Sequence, residues 1–313
     1  VIEMKRLIIN ACMLAAFCCS VMAQNTKDMK TIRLIYPQWQ GGIIDKWFPD
    51  DNAADISRGY SLGAQLLNVL APKTKSDCYV VPIDTTYQRK LQNGVMDRDV
   101  IANQTKAALD ILEVAQPDKI VTFGGECSVS VVPFTWLNKK YGGDVAMIWV
   151  DAHPDITLPG DVYAGYHAMA VTAAMGLGDK KITGLLPSKF SPKNILYVGL
   201  RNWEREEIKE RQKTYGIDYI SPQELFDNSD KLKEWLHNCK ASKVVVHLDL
   251  DVLDASKIYL AVGNDPDGFD LKQVSRIIND IAKEKQLVGL TVAEYMPRQA
   301  IKLQEMLQSL PME

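Results

Sequence analysis

Seven short apolar runs punctuate the chain, at residues 32–36, 79–83, 120–123, 145–150, 195–200, 244–250 and 287–292. Most are rich in valine and isoleucine and show no clear alternation of polar and apolar positions, as expected of parallel strands covered on both faces. Between them lie amphipathic stretches, and residues 97–114, 205–215, 222–237 and 271–283 are predicted as helices. Strands alternating with helices predict βαβ units, hence an α/β fold with a parallel sheet and helices on both its faces. No tandem repeat or low-complexity linker interrupts the series, so residues 24–313 are expected to form one domain. Ligands of such sheets bind beyond the carboxyl ends of the strands.

The first two dozen residues break this pattern. Lys5 and Arg6 precede an apolar stretch from Leu7 to Ala16, and the segment closes on Val21-Met22-Ala23 before Gln24. A basic start, a short apolar run and small residues at the end have the form of a secretory signal, so residues 1–23 are expected to be removed and the protein exported, periplasmic or secreted. The run is shorter than the roughly 20 residues that span a bilayer. Three cysteines follow it, Cys78, Cys127 and Cys239. An odd number cannot pair completely, which excludes a disulfide scaffold. The chain carries 36 basic and 39 acidic side chains, a mild acidity that gives no electrostatic reason to bind nucleic acid or an anionic membrane.

Candidate chemistry gathers where apolar runs end. The run at 145–150 leads into Asp151-Ala152-His153-Pro154-Asp155, and the run at 244–250 carries His247-Leu248-Asp249-Leu250-Asp251. In extended chain, residues i, i+2 and i+4 share a face, so Asp151, His153 and Asp155 can converge, as can Asp249 with Asp251. A third run opens into Gly124-Gly125-Glu126-Cys127-Ser128, where paired glycines allow a sharp turn. Ionised carboxylates crowded at buried strand ends repel each other, and desolvating each costs several kcal/mol. Divalent cations remove the conflict, and oxygen ligands with one or two imidazoles suit Mn²⁺. The competing reading makes these aspartates helix caps and turn formers, their usual task after a strand.

Taken together, the three motifs resemble the ureohydrolase family of arginases, agmatinases, formiminoglutamases and guanidinobutyrase-like enzymes, over about residues 30–310. The resemblance implies a three-layer α/β/α fold, often in trimers or hexamers, with two manganese ions. A hydroxide bridging them attacks a guanidinium or related amidine carbon of a small molecule. Residue by residue, it implies that Asp151 and Asp249 bridge both ions, Asp155 completes one shell, and His153 and Asp251 complete the other. It makes His167 a proton shuttle, Glu294 the partner of the guanidinium, and Glu204 a contact for the far end of the substrate.

The chain also departs from the family. Cys127 stands where the family has a histidine ligand of the first metal, and only His153, His167, His237 and His247 are available to replace it. His247 precedes Asp249 by two, a spacing that allows it to face the site, but it is expected to pack beside it. Four aspartates balance two divalent ions, whereas a Cys127 thiolate adds a further negative charge and shifts preference toward Zn²⁺ or Fe²⁺. After Asp155, where the family often has an asparagine that reaches the substrate, Ile156-Thr157 follows, which makes Thr157 the candidate contact. The loop Asn264-Asp265-Pro266-Asp267-Gly268 replaces a Thr-Pro segment, so an ordinary arginine pocket is not expected. Two other readings remain: a deacetylase-like mononuclear metal amidohydrolase, and a non-catalytic metal- or ligand-binding protein of this fold.

Overall fold

In strand 145–150 every side chain is buried, but alternate residues enter different cores. Val145, Met147 and Trp149 join one apolar cluster, while Ala146, Ile148 and Val150 join another. Two cores on opposite faces of one sheet make three layers, as the alternation of side chains along a strand requires. The computed structural model describes residues 29–313, and Thr31–Glu313 form one compact unit. The expected signal segment lies outside the described residues. Among those residues, no helix is long and apolar enough to cross a membrane.

Among the described residues ten strands follow in chain order: β1 (Thr31–Tyr36), β2 (Asp77–Val80), β3 (Leu91–Gln92), β4 (Val95–Met96), β5 (Lys119–Gly124), β6 (Val145–Val150), β7 (Ile195–Val198), β8 (Asp218–Ile220), β9 (Lys243–Asp249) and β10 (Gln286–Ala293). Eight form one sheet in the order β2-β1-β5-β10-β9-β6-β7-β8, and every pairing in it is parallel. β3 and β4 form a separate antiparallel hairpin. The chain leaves β5 for β6 and later returns to place β9 and β10 between them, so the four central strands are β5, β10, β9 and β6.

Helices cover both faces. Arg98–Ala115 and Val131–Lys140 bury Ile101, Ala108, Leu112 and Phe134 in the core that takes Trp149. Gly59–Leu70, Asp230–Asn238 and Leu271–Glu284 bury Leu67, Leu232, Leu236, Val274 and Ile278 in the other. The last of these starts on Asp270, whose side chain accepts from Gln273 N while Gln273 reaches back to the Asp270 amide, satisfying two otherwise orphaned donors. One predicted helix is corrected: residues 222–237 form a single tight turn at Pro222–Leu225 and a helix only from Asp230.

Candidate metal centre

Register brings the ends of the four central strands level. Val150 pairs with Leu248, so Asp151 follows at the height of Asp249, and Ala293 pairs directly with Asp249. Val292 pairs with Phe123, which sets Gly124 beside Ala293. The chain leaving β5 must then turn at once. At Gly125 a Cβ would lie 1.8 Å from the Gln38 carbonyl oxygen, so only glycine fits. Glu126 locks the turn by accepting from Ser128 N, Ser128 Oγ and Gln38 Nε2, and Cys127 follows, 2% exposed. Past β10, the Glu294 amide donates to the Gly125 carbonyl at 2.8 Å.

Of the four carboxylates expected to cluster, Asp151, Asp249 and Asp251 do so and Asp155 does not, and all four are buried. Asp151 Oδ2 accepts from Trp149 Nε1 at 2.9 Å, and its Oδ1 accepts from the His153 amide. His153 Nδ1 lies 3.0 Å from Asp251 Oδ2, and Asp249 Oδ1 accepts from the Asp251 amide at 2.7 Å. Cys127 Sγ lies 3.0 Å from Asp249 Oδ2 and 3.1 Å from Glu294 Oε1, with its one proton shared between the two carboxyls. Donor atoms fall within 4.8 Å of one another in overlapping groups: Cys127 with Asp151, His247 and Asp249; Asp151 with His153 and Asp251; and Asp249 with Asp251 and Glu294. Cys127 with His167 and Glu294 makes a fourth group, and Cys127, Asp151, Asp249, Asp251 and Glu294 each belong to two. Asp155 joins none; its backbone is left-handed (φ 49°), and its buried Oδ2 has no partner.

The proton-transfer candidates form a second chain. Tyr163 OH donates to the Gly42 carbonyl at 2.9 Å, which leaves it to accept from His167 Nε2 at 2.8 Å. His167 Nδ1 faces Glu294 Oε1 at 3.0 Å, and Tyr60 OH donates to Glu294 Oε2 at 2.6 Å. Burial works against a charged imidazole, but Tyr163, Glu294 and Asp155 outweigh it and hold His167 well above the usual histidine range.

These acids do not coexist comfortably as anions. Burial, then the charge of Asp251, pushes Asp151 up to about 7. Burial and neighbouring carboxylates likewise raise Asp155 and Asp249 well above the usual range. Burial raises the Cys127 thiol, again with help from the surrounding acids. Asp251 is the exception: burial raises it, but His153 and the Ala152 amide more than compensate and hold it at about 2. Crowded carboxyls that keep their protons, with buried Asp155 Oδ2 and His247 Nε2 unpartnered, are what a divalent cation pair would satisfy. The residues fit such a group.

The centre floors a cavity of about 430 Å³, walled by Ile44, Trp47, Phe48, Trp203 and Tyr259. Glu204 lines it with a left-handed backbone (φ 59°). Thr157 also lines it, but its hydroxyl donates to the Ala168 carbonyl at 2.8 Å. His247 does pack, stacked on the Trp149 ring, yet its Nε2 faces the cluster. Asp265 is a partner the motifs did not reveal: its Oδ2 lies 3.2 Å from His153 Nε2, and its Oδ1 accepts from Asn202 Nδ2 at 2.7 Å. Tyr60 and Tyr163 were also missed. Tyr163 stands four residues before His167, a spacing that could have drawn notice.

A parallel sheet with acids, imidazoles and a thiol gathered at its central strand ends defines an α/β protein with a candidate metal centre. The chain belongs to the arginase family: the family's sequence profile matches residues 60–307. It is 29% identical over 188 residues to the arginase of Entamoeba histolytica, a match covering 57% of this chain and 62% of that one. The solved structure of Entamoeba histolytica arginase with L-ornithine superposes with a TM-score of 0.76 at 20% identity, covering 90% of this chain and 98% of that one. Formimidoylglutamase from Bacillus subtilis superposes at 0.65 with 16% identity, over 92% and 90% of the two chains.

Proposed function

We propose that the protein hydrolyses a C–N bond in a linear guanidino, amidino or formimino small molecule, with two divalent cations at Asp151, His153, Asp155, Asp249, Asp251 and Cys127. The observation that carries this reading is the convergence of these groups with Glu294 and His167 on one cavity. When bound, the cations would polarise the amidine and make a water acidic enough to attack near neutral pH. Manganese is the family expectation, and Cys127 favours zinc or iron.

The chain's own residues set the rest. Glu294, held by Tyr60 OH on Oε2, offers a carboxylate to a planar cation, which such a group grips by paired hydrogen bonds. His167 presents its Nδ1 proton beside the same carboxylate, where the departing amine needs one. With Nε2–H donated to Tyr163, the Nδ1 proton is present when the ring is the imidazolium that Tyr163, Glu294 and Asp155 favour.

The cavity also selects the substrate's tail. No lysine or arginine is among its described lining residues, whereas Glu204 and Asp265 are. A free carboxylate would therefore be desolvated without a cationic partner, so the preferred tail is apolar, aromatic or positively charged. Export after removal of residues 1–23 and assembly into trimers or hexamers belong to the same reading. A panel of guanidino, amidino and formimino compounds, assayed for urea or ammonia with Mn²⁺, Zn²⁺ or Fe²⁺, tests it. Release is expected from amine- or aryl-tailed compounds ahead of arginine, and is lost in Asp249→Ala. No release from any compound with any metal would favour a binding-only protein.

A further inference from the structure

His247 is the one imidazole at the centre to which the reaction above gives no task. It is wholly buried, and its ring lies on Trp149 with centroids 3.7 Å apart and planes inclined by 16°. Ser130 Oγ sits 2.7 Å from Nδ1. Nε2 has no hydrogen-bond partner; its nearest acidic oxygen, Asp151 Oδ2, is 3.9 Å away and already accepts from Trp149. Burying an imidazole nitrogen against acids without a partner costs free energy, so the position needs an explanation.

We propose that His247 Nε2 is a metal ligand, forming with Cys127 Sγ, Asp151 and Asp249 a four-donor site of one sulfur, one nitrogen and two carboxylates. The inference rests on the reading that this cluster holds metal. The four donor atoms lie within 4.8 Å of one another. Ligands at about 2.0–2.3 Å from a tetrahedral zinc stand roughly 3.3–3.8 Å apart. The Nε2 separation from Asp151 (3.9 Å) and the Sγ separation from Asp249 (3.0 Å) bracket that spacing. With Ser130 accepting from Nδ1–H, the Nε2 lone pair points at the ion, the usual outer-shell device for fixing a ligand's tautomer. A neutral imidazole also adds a donor without adding to the negative charge of the thiolate. The two metal positions are then unlike: sulfur and nitrogen suit zinc or ferrous iron at the Cys127–His247 position, and the oxygen-rich side at Asp251 suits a harder ion.

The test titrates the metal-stripped full chain with Zn²⁺, and with Co²⁺ as a coloured stand-in, following chelator competition and absorption. Wild type should bind two ions and show a thiolate-to-cobalt band with intense tetrahedral bands. His247→Phe keeps the stack on Trp149, and His247→Gln keeps a polar partner for Ser130. Each should weaken one ion by about tenfold or more and diminish the tetrahedral bands, leaving the other ion unchanged. Two ions bound with wild-type affinity and spectrum in a folded variant would overturn the proposal, as would a wild type that binds no divalent ion. Metal binding that depends on His247 without hydrolysis of any guanidino compound would overturn the hydrolase reading alone.

Discussion

His153 meets a carboxylate from each ring nitrogen, Asp251 at Nδ1 and Asp265 at Nε2. Burial lowers its affinity for a proton, but these acids outweigh burial and hold it well above the usual histidine range. With a metal on Nδ1, Asp265 becomes the acceptor that orients the ring and raises its basicity. Asp265→Asn should therefore weaken metal binding by roughly 10–100-fold, measured by chelator competition; an unchanged affinity would remove Asp265 from that role. Asp151, His153, Asp249 and Asp251 were legible as a group because each pair stands two apart at the end of an apolar strand, although Asp251 lies in a short 3-10 turn rather than extended chain, and Asp155 stays apart from them. Asp265, Tyr60 and Tyr163 were less so. Asp265 meets His153 across 112 positions of sequence, and Tyr60 meets Glu294 across 234, separations on which no periodicity bears.

Sharp exits from the strands do as much as the side chains. Gly125 carries β5 past Gln38 with no room for a methyl group, and its carbonyl accepts the amide that seats Glu294. Gly125→Ala is expected to destabilise the fold by about 1–3 kcal/mol or more and to lower activity further than stability, as thermal denaturation and the urea assay would separate. An unchanged melting temperature would show that the turn relaxes freely. Long buried strands were readable from their apolar runs, whereas short elements were not. The β3–β4 hairpin turns at Asn93-Gly94, both with positive φ as a tight hairpin turn requires, but its two-residue strands offer no alternation to detect. β8 is an edge strand of three residues, too short to mark a run. Residues 222–237 kept helical spacing across Asn228-Ser229, where the chain turns instead.

The molecule as a whole converts topology into a charge problem. Inserting β9 and β10 between β5 and β6 brings residues from four separate segments to one end of the sheet. Strand-helix alternation predicts such a sheet but not its strand order, because order is decided by long-range pairing. The acids so gathered make stability depend on pH. Asp151, raised from its ordinary 3.8 to about 7, stabilises the metal-free fold fully below pH 4 and loses that contribution as pH rises through 7. Raised His153 changes in the same direction, while Asp251, held at about 2, contributes evenly over this window. A bound cation keeps the carboxylates ionised and reverses the trend. The difference in melting temperature between metal-loaded and metal-free protein should thus widen from pH 4 to above 7; a constant difference would mean these acids do not share a cation.

The proposed chemistry depends on two divalent ions held among Asp151, Asp249 and their neighbours at the ends of the four middle strands. Diffraction at the metal absorption edges, from crystals grown with Mn²⁺ or Zn²⁺, tests it most directly. Two anomalous peaks about 3.5–4 Å apart are expected, between Asp151 and Asp249, with Cys127 and His247 beside one and His153 and Asp251 beside the other. No anomalous peak at this end of the sheet would contradict it.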